Sequence, residues 1–130
     1  NPLEALREAI NETYQFILLI LSTLSKMITG SISAENIGGP IQISVLAGSA
    51  AKAGFISFLT MIAVLSINLG LVNLLPIPIL DGGQLVLIGI EKIKGSPISE
   101  YTIDYFYRFG FLALIFIMGF AVFNDIGRLI

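Results

Sequence analysis

A run of 28 uncharged residues, from Ala53 to Leu80, constrains this chain more than any other feature. About 20 apolar residues are enough to cross the hydrocarbon core of a bilayer as a helix. Residues 54–75 therefore predict a spanning helix, which Pro76 and Pro78 end. Because a residue before proline is pushed out of the helical region, residues 74–80 are expected to be extended. Backbone of this kind must face protein, water or a bound chain rather than lipid.

The composition agrees with a membrane protein. Hydrophobic residues make up 55% of the 130 residues and charged residues only 12%, whereas a soluble domain carries about a quarter charged residues. The net charge of -2 provides no basic patch, which argues against nucleic acid as a partner. The chain has neither histidine nor cysteine. That excludes Ser-His-Asp and Cys-His catalytic sites and, for this chain alone, the usual catalytic zinc site.

The N-terminal segment, residues 1–30, is predicted to be an amphipathic helix. Asn1 can cap it and Pro2 suits its first turn. Its long polar stripe favours a position in the membrane interface. The alternative is a spanning helix from Thr13 to Ala34, with Lys26 tolerated inside a bundle. A Lys at the centre of a span costs about 3 kcal/mol, which favours the interfacial position.

The remaining chain divides into a connector and a transmembrane part. Residues 31–53 form the connector, broken at Gly38-Gly39-Pro40, and residues 54–130 form the transmembrane part. Within the latter, a short apolar helix follows Asp81, and a last helix begins at Ser99 and spans at about 104–124. The predicted class is an all-α membrane protein with an interfacial amphipathic helix, two transmembrane helices and that short helix. Basic residues place the 91–108 loop in the cytoplasm, namely Lys92, Lys94 and Arg108.

Two polar residues flank the proline segment and are the candidates for chemistry. Asp81 is an ionisable group at the edge of an apolar span, where such groups are rare and usually functional. It fits a helix N-cap, a proton-relay carboxylate of a transporter, or one ligand of a metal site. Gly82 and Gly83 are expected to keep the backbone there from being a plain helix. Asn73 could form an interhelical hydrogen bond. It could also hold the backbone of an extended substrate, because an amide both donates and accepts hydrogen bonds.

The stretch Asn73-Leu-Leu-Pro76-Ile-Pro78-Ile-Leu80-Asp81-Gly82 resembles the Asn-x-x-Pro-x-Pro-x-Leu-Asp-Gly signature of the site-2 protease family, the zinc intramembrane metalloproteases. The resemblance extends over nearly all of the 130 residues. Further stretches are similar to the C-terminal part of bacterial members: Gly39-Pro40-Ile41, Asn68-Leu-Gly, Glu91-Lys-Ile-Lys-Gly and Phe123-Asn124-Asp125.

The resemblance implies an enzyme and a distribution of roles. In that family an upstream helix carries His-Glu-x-x-His, which supplies two zinc ligands and the general base, and the Asp of Leu-Asp-Gly completes the site. Asp81 matches this ligand. Asn73 matches a position near the bound substrate, and Pro76 and Pro78 match the active-site scaffold. The implied function is the C-terminal half of a zinc metalloendopeptidase of the bacterial inner membrane, which cleaves a single-span, anti-sigma-factor type substrate in regulated intramembrane proteolysis.

The chain departs from the family pattern in two respects. The His-Glu-x-x-His helix is absent, as are the PDZ domains that precede this region in bacterial members, so the chain alone is expected to be inactive. It needs the N-terminal half as a partner. Gln84 stands where some relatives have His, a position that is not the expected metal ligand. Two rival functions remain from the residues alone: half of an ion-coupled transporter and a non-catalytic membrane scaffold.

Overall fold

The computed structural model describes residues 1–33, 35 and 37–130, and these residues form five helices and no strand. Two of the helices are long and apolar enough to cross a membrane. This confirms the all-α membrane class with two candidate spanning helices. The helices are α1 (Pro2–Ile28), α2 (Pro40–Ala53), α3 (Phe55–Asn73), α4 (Asp81–Lys94) and α5 (Glu100–Leu129), and the two candidate spans are α3 and α5.

The first helix begins as its sequence predicts. The side-chain oxygen of Asn1 accepts a hydrogen bond from the backbone N–H of Leu3 at 3.1 Å, and Pro2 occupies the first turn. Gly30 follows the helix with a φ of +81°, a conformation that glycine adopts without strain. The middle of α1 lies across the middle of α3. Its interfacial position remains a prediction, and the end of the alternative span, Ala34, lies outside the described residues.

The predicted connector contains a helix, α2, that the local sequence did not predict. Its first turn is held by a carboxylate from the far end of the chain. Asp125, on α5 and only 2% exposed, accepts hydrogen bonds from the backbone N–H groups of Gly39, Ile41 and Gln42 at 2.9, 3.0 and 3.1 Å. The first N–H groups of a helix have no partner within the helix, so a carboxylate there stabilises it. A Cβ on Gly39 would lie 2.6 Å from an oxygen of Asp125, so this approach requires glycine.

The two candidate spanning helices are linked near both of their ends. At one end, the segment after α3 packs on Gly110 of α5. At the other end, α2 joins the start of α3 through Gly54 and is bound by Asp125 of α5. A helix rises about 1.5 Å per residue, so Gly110 and Asp125 lie roughly 22 Å apart along α5. Asp81, which follows the segment packed on Gly110, therefore lies toward the end of α5 opposite Asp125.

Candidate metal centre

The segment between α3 and α4 is a compact series of turns, so the expectation of an extended segment was wrong. The N–H groups of Leu74 and Leu75 donate to carbonyls of the last turn of α3, both at 3.1 Å. The N–H of Ile77 donates to the carbonyl of Leu75 at 2.7 Å, and that of Leu80 donates to the carbonyl of Ile77 at 2.9 Å. The two prolines end the helix, as predicted, because they lack N–H groups. The N–H groups of Leu74, Leu75, Ile77 and Leu80 thus close tight turns instead of facing outward for a partner strand.

The short helix predicted after Asp81 is confirmed as α4, and it includes Gly82 and Gly83. The expectation that these two glycines keep the backbone from being a plain helix was wrong. Neither has a positive φ. Both are buried, and they bring the first turn of α4 into contact with the preceding turns. A Cβ on Gly82 would overlap the carbonyls of Leu74 and Leu75, and one on Gly83 would lie 2.6 Å from the carbonyl carbon of Ile77. Their role is close packing, which places the start of α4 beside the end of α3.

Asp81 is the first residue of α4 and does not cap it. The N-cap is Leu80, whose backbone is extended at φ -86° and ψ 164°, so the N-cap interpretation of Asp81 was wrong. The Asp81 side chain is exposed. Within the described residues it takes part in no hydrogen bond or ion pair. The partial positive charge of a helix N-terminus attracts a carboxylate at this position. The acidic group thus lies on a closely packed turn, and its oxygens are available within the described residues.

The other predicted site residues lie in the same turn structure but in different surroundings. Asn73 ends α3 and is half-buried, and Pro76 is exposed. Pro78 is buried against Gly110 of α5, where a Cβ would lie 2.6 Å from the Cβ of the proline. The prolines therefore differ: Pro78 is part of the packing and Pro76 is accessible. Gly110 was missed by the sequence analysis, because in an apolar helix it looks the same as Gly119, where an added Cβ would meet no described residue within 4 Å outside its own helix backbone.

The residues of this chain can supply one ligand to a metal site, the carboxylate of Asp81. An available carboxylate is an ordinary oxygen ligand for zinc. Among the described residues, no three acidic, histidine or cysteine side chains lie together as a metal-binding group. A zinc ion at Asp81 would need its nitrogen ligands from residues outside this chain, since the chain contains no histidine.

Comparison with known proteins agrees with the motif and the helices. The profile of peptidase family M50 matches residues 1–117. The chain belongs to this family. This confirms the resemblance to the site-2 proteases, because the matched region includes the whole Asn73–Asp81 motif.

The family members most similar to this chain include bacterial sigma-E regulators. The chain is 46% identical over 129 residues to the regulator of sigma-E protease RseP of Escherichia coli, which covers 99% of this chain and 29% of that protein. It is 44% identical over 129 residues to protease RseP of Yersinia pestis, again covering 99% of this chain and 29% of that protein. A putative zinc metalloprotease of Pasteurella multocida is 42% identical over 127 residues, covering 98% of this chain and 29% of that protein. The chain therefore matches less than a third of the length of these relatives.

Proposed function

We propose that this chain is the C-terminal part of an intramembrane zinc metalloprotease, with Asp81 as one zinc ligand. The observation that carries the proposal is the available carboxylate on the first turn of α4, at the end of the family motif. The glycines beneath it are buried, so the ligand projects from a packed turn rather than from a mobile loop. Ligands on rigid, well-packed elements give the geometric precision that a catalytic metal needs.

The residues of this chain bind and orient, while the general base and two histidine ligands come from the N-terminal part. When bound, zinc polarises a carbonyl and activates a water molecule for attack on a peptide bond. Asp81 contributes a carboxylate ligand at the position where the metal binds. Asn73, at the end of α3, uses its amide to hold the backbone of an unwound substrate segment, since it can donate to a carbonyl and accept from an N–H. Pro76 is exposed beside it and contacts the same segment, whereas Pro78 supports the turn from below.

The substrate is a single-span membrane protein of the anti-sigma-factor type. The names of the relatives as regulators of sigma-E support this, together with the position of the site at the end of a candidate spanning helix. We infer that the protein lies in the bacterial inner membrane, which the two candidate spanning helices and the bacterial relatives support. Residues 91–108 were predicted to be a loop but comprise the last turn of α4, a short connection and the start of α5. They lie at the same end of α5 as Asp81 and carry basic residues, which supports a cytoplasmic position for this region and for the site.

The test is zinc content and proteolysis of the full-length protein with Asp81→Asn. Asparagine keeps the shape but removes the charge that binds zinc. We expect proteolysis to be abolished and the zinc content after purification to fall, while membrane insertion stays intact. The matched control is Asp104→Asn, because Asp104 is an exposed carboxylate on α5 that pairs with Arg108 at 3.0 Å. Full cleavage by Asp81→Asn, or equal zinc loss in both variants, refutes the ligand role.

A further inference from the structure

Helix α4 carries Asp81 but is not among the extensively packed helices of the described chain. The packed pairs are α2 with α3, α2 with α5 and α1 with α3. Large apolar side chains of α4 are accordingly exposed, with Leu85 60%, Ile88 59% and Ile93 90% accessible. The position of Asp81 must therefore be set mainly by what holds the first turn of α4 to the rest of the molecule.

That first turn is held by a stack of two glycines and one proline. On one side, a Cβ on Gly83 would lie 2.7 Å from the Cα of Pro78. On the other side, a Cβ on Gly110 would lie 2.6 Å from the Cβ of Pro78 and 3.0 Å from both Cγ and Cδ. The pyrrolidine ring is thus pressed against the backbone of α5, and the backbone of α4 is pressed against the proline. All three residues are buried.

We propose that Gly110 is a positioning residue for the metal-binding carboxylate, acting through Pro78; this rests on the zinc-protease function proposed above. Gly110 lies 29 positions after Asp81 in the chain, and it touches neither metal nor substrate. Because Gly110 has no side chain, the ring of Pro78 can approach the backbone of α5 closely. The ring is rigid, so it cannot yield as a flexible side chain would. The turn from Ile77 to Leu80, closed by a hydrogen bond of 2.9 Å, transmits the position of Pro78 to the start of α4.

The size of the effect follows from the contact distances. An ordinary contact of a Cβ begins at 3.4 Å, so a methyl group on Gly110 forces a separation of about 0.8 Å between α5 and Pro78. A displacement near 1 Å at a catalytic group can lower the rate by about 100-fold. Changes in the residues that orient a metal ligand typically weaken metal affinity by about 10- to 100-fold. We therefore expect Gly110→Ala to weaken zinc retention by roughly tenfold or more and to lower kcat more than it raises KM.

The test measures zinc retention of the full-length protein against increasing chelator, together with kcat, KM and thermal stability. Gly119→Ala is the matched control, because Gly119 lies on the same helix and a Cβ there meets no neighbour within 4 Å in the part of the chain that the structure describes. It should retain zinc as the parent protein does. A graded series at Gly110, from Ala to Val, should weaken zinc retention in order of side-chain size. In a Pro78→Gly background, the further effect of Gly110→Ala should shrink, because the ring and its Cβ are gone.

Several results would overturn the proposal. These are equal zinc retention in Gly110→Ala and Gly119→Ala, a series at Gly110 without grading by size, and a loss of zinc that only follows a loss of thermal stability. The last of these would make Gly110 a purely structural residue. The Asp81→Asn variant separates this proposal from the function it rests on. If Asp81→Asn keeps its zinc, the protease assignment fails. If Asp81→Asn loses zinc and Gly110→Ala does not, only the positioning role fails.

Discussion

Replacing Gly83 by alanine tests whether close packing of the first turn of α4 holds the site together. The added methyl group would lie 2.6 Å from the carbonyl carbon of Ile77 and 2.7 Å from the Cα of Pro78. Both neighbours are backbone atoms, so relief requires moving a turn or the helix itself. Overpacking of this kind costs about 1–3 kcal/mol. Alanine also gains about 1 kcal/mol over glycine in a helix, which offsets part of the cost.

Gly89→Ala separates the cost of overpacking from the gain in helix propensity. Gly89 lies on the same helix, and a Cβ there meets none of the described residues within 4 Å. Both variants share the helix-propensity gain, so the difference between them isolates the overlap at Gly83, roughly 1–3 kcal/mol of unfolding free energy. The assay is thermal or denaturant unfolding of the full-length protein in detergent, with zinc content measured in parallel. Gly83→Ala should unfold first and lose zinc. Equal stability of the two variants would mean that the backbone contacts described for Gly83 do not constrain the turn.

Three further outcomes are expected. Asn73→Ala should lower turnover more than zinc content, because Asn73 is assigned to the substrate rather than to the metal; equal losses measured on one preparation would indicate a structural role. Asp125→Ala should lower the melting temperature far more than Asp104→Ala, since Asp125 is buried and accepts three backbone hydrogen bonds, whereas Asp104 forms one exposed ion pair. Similar melting temperatures would contradict the role of Asp125. Prolonged dialysis against a chelator should abolish proteolysis, and added zinc should restore it; activity that persists in metal-free protein contradicts the metal assignment.

The candidate spanning helices could be predicted from the sequence because lipid imposes a simple rule. A helix must be apolar over the thickness of the bilayer, and a proline must end it or be accommodated. The uncharged run therefore located α3 to within two residues of its observed end, Asn73. The last helix was predicted to end near Asn124 but continues to Leu129. No role was assigned to Asp125 from the sequence beyond its place in the motif resemblance, but this residue is buried and binds the start of α2.

Helix α2 could not be predicted because its stabilising partner is remote in sequence. The 31–53 connector was expected to be broken at Gly38-Gly39-Pro40, and no helix was assigned to it. The break is real, but it is also the start of a helix whose first N–H groups bind Asp125, 86 residues away from Gly39. Arg128 adds hydrogen bonds to the side chain of Gln42 and to the backbone carbonyl of Glu35. Local propensity carries no information about such a partner.

The residues of the candidate site differ in how far the sequence reveals their role. The polar residues can be recognised from their chemistry, whereas the role of the small and apolar residues depends on packing. Asp81 and Asn73 were identified because polar groups beside hydrocarbon are costly and so demand a reason. The glycines and Pro78 gave a weaker signal, and the conformation expected of them was wrong, since both glycines are helical and the segment turns tightly. Apolar and small residues reveal their role only when the opposing surface is known. A carboxylate can be recognised as a ligand from its sequence context, but its position to within an ångström depends on contacts such as that of Pro78 with Gly110, which join distant parts of the chain.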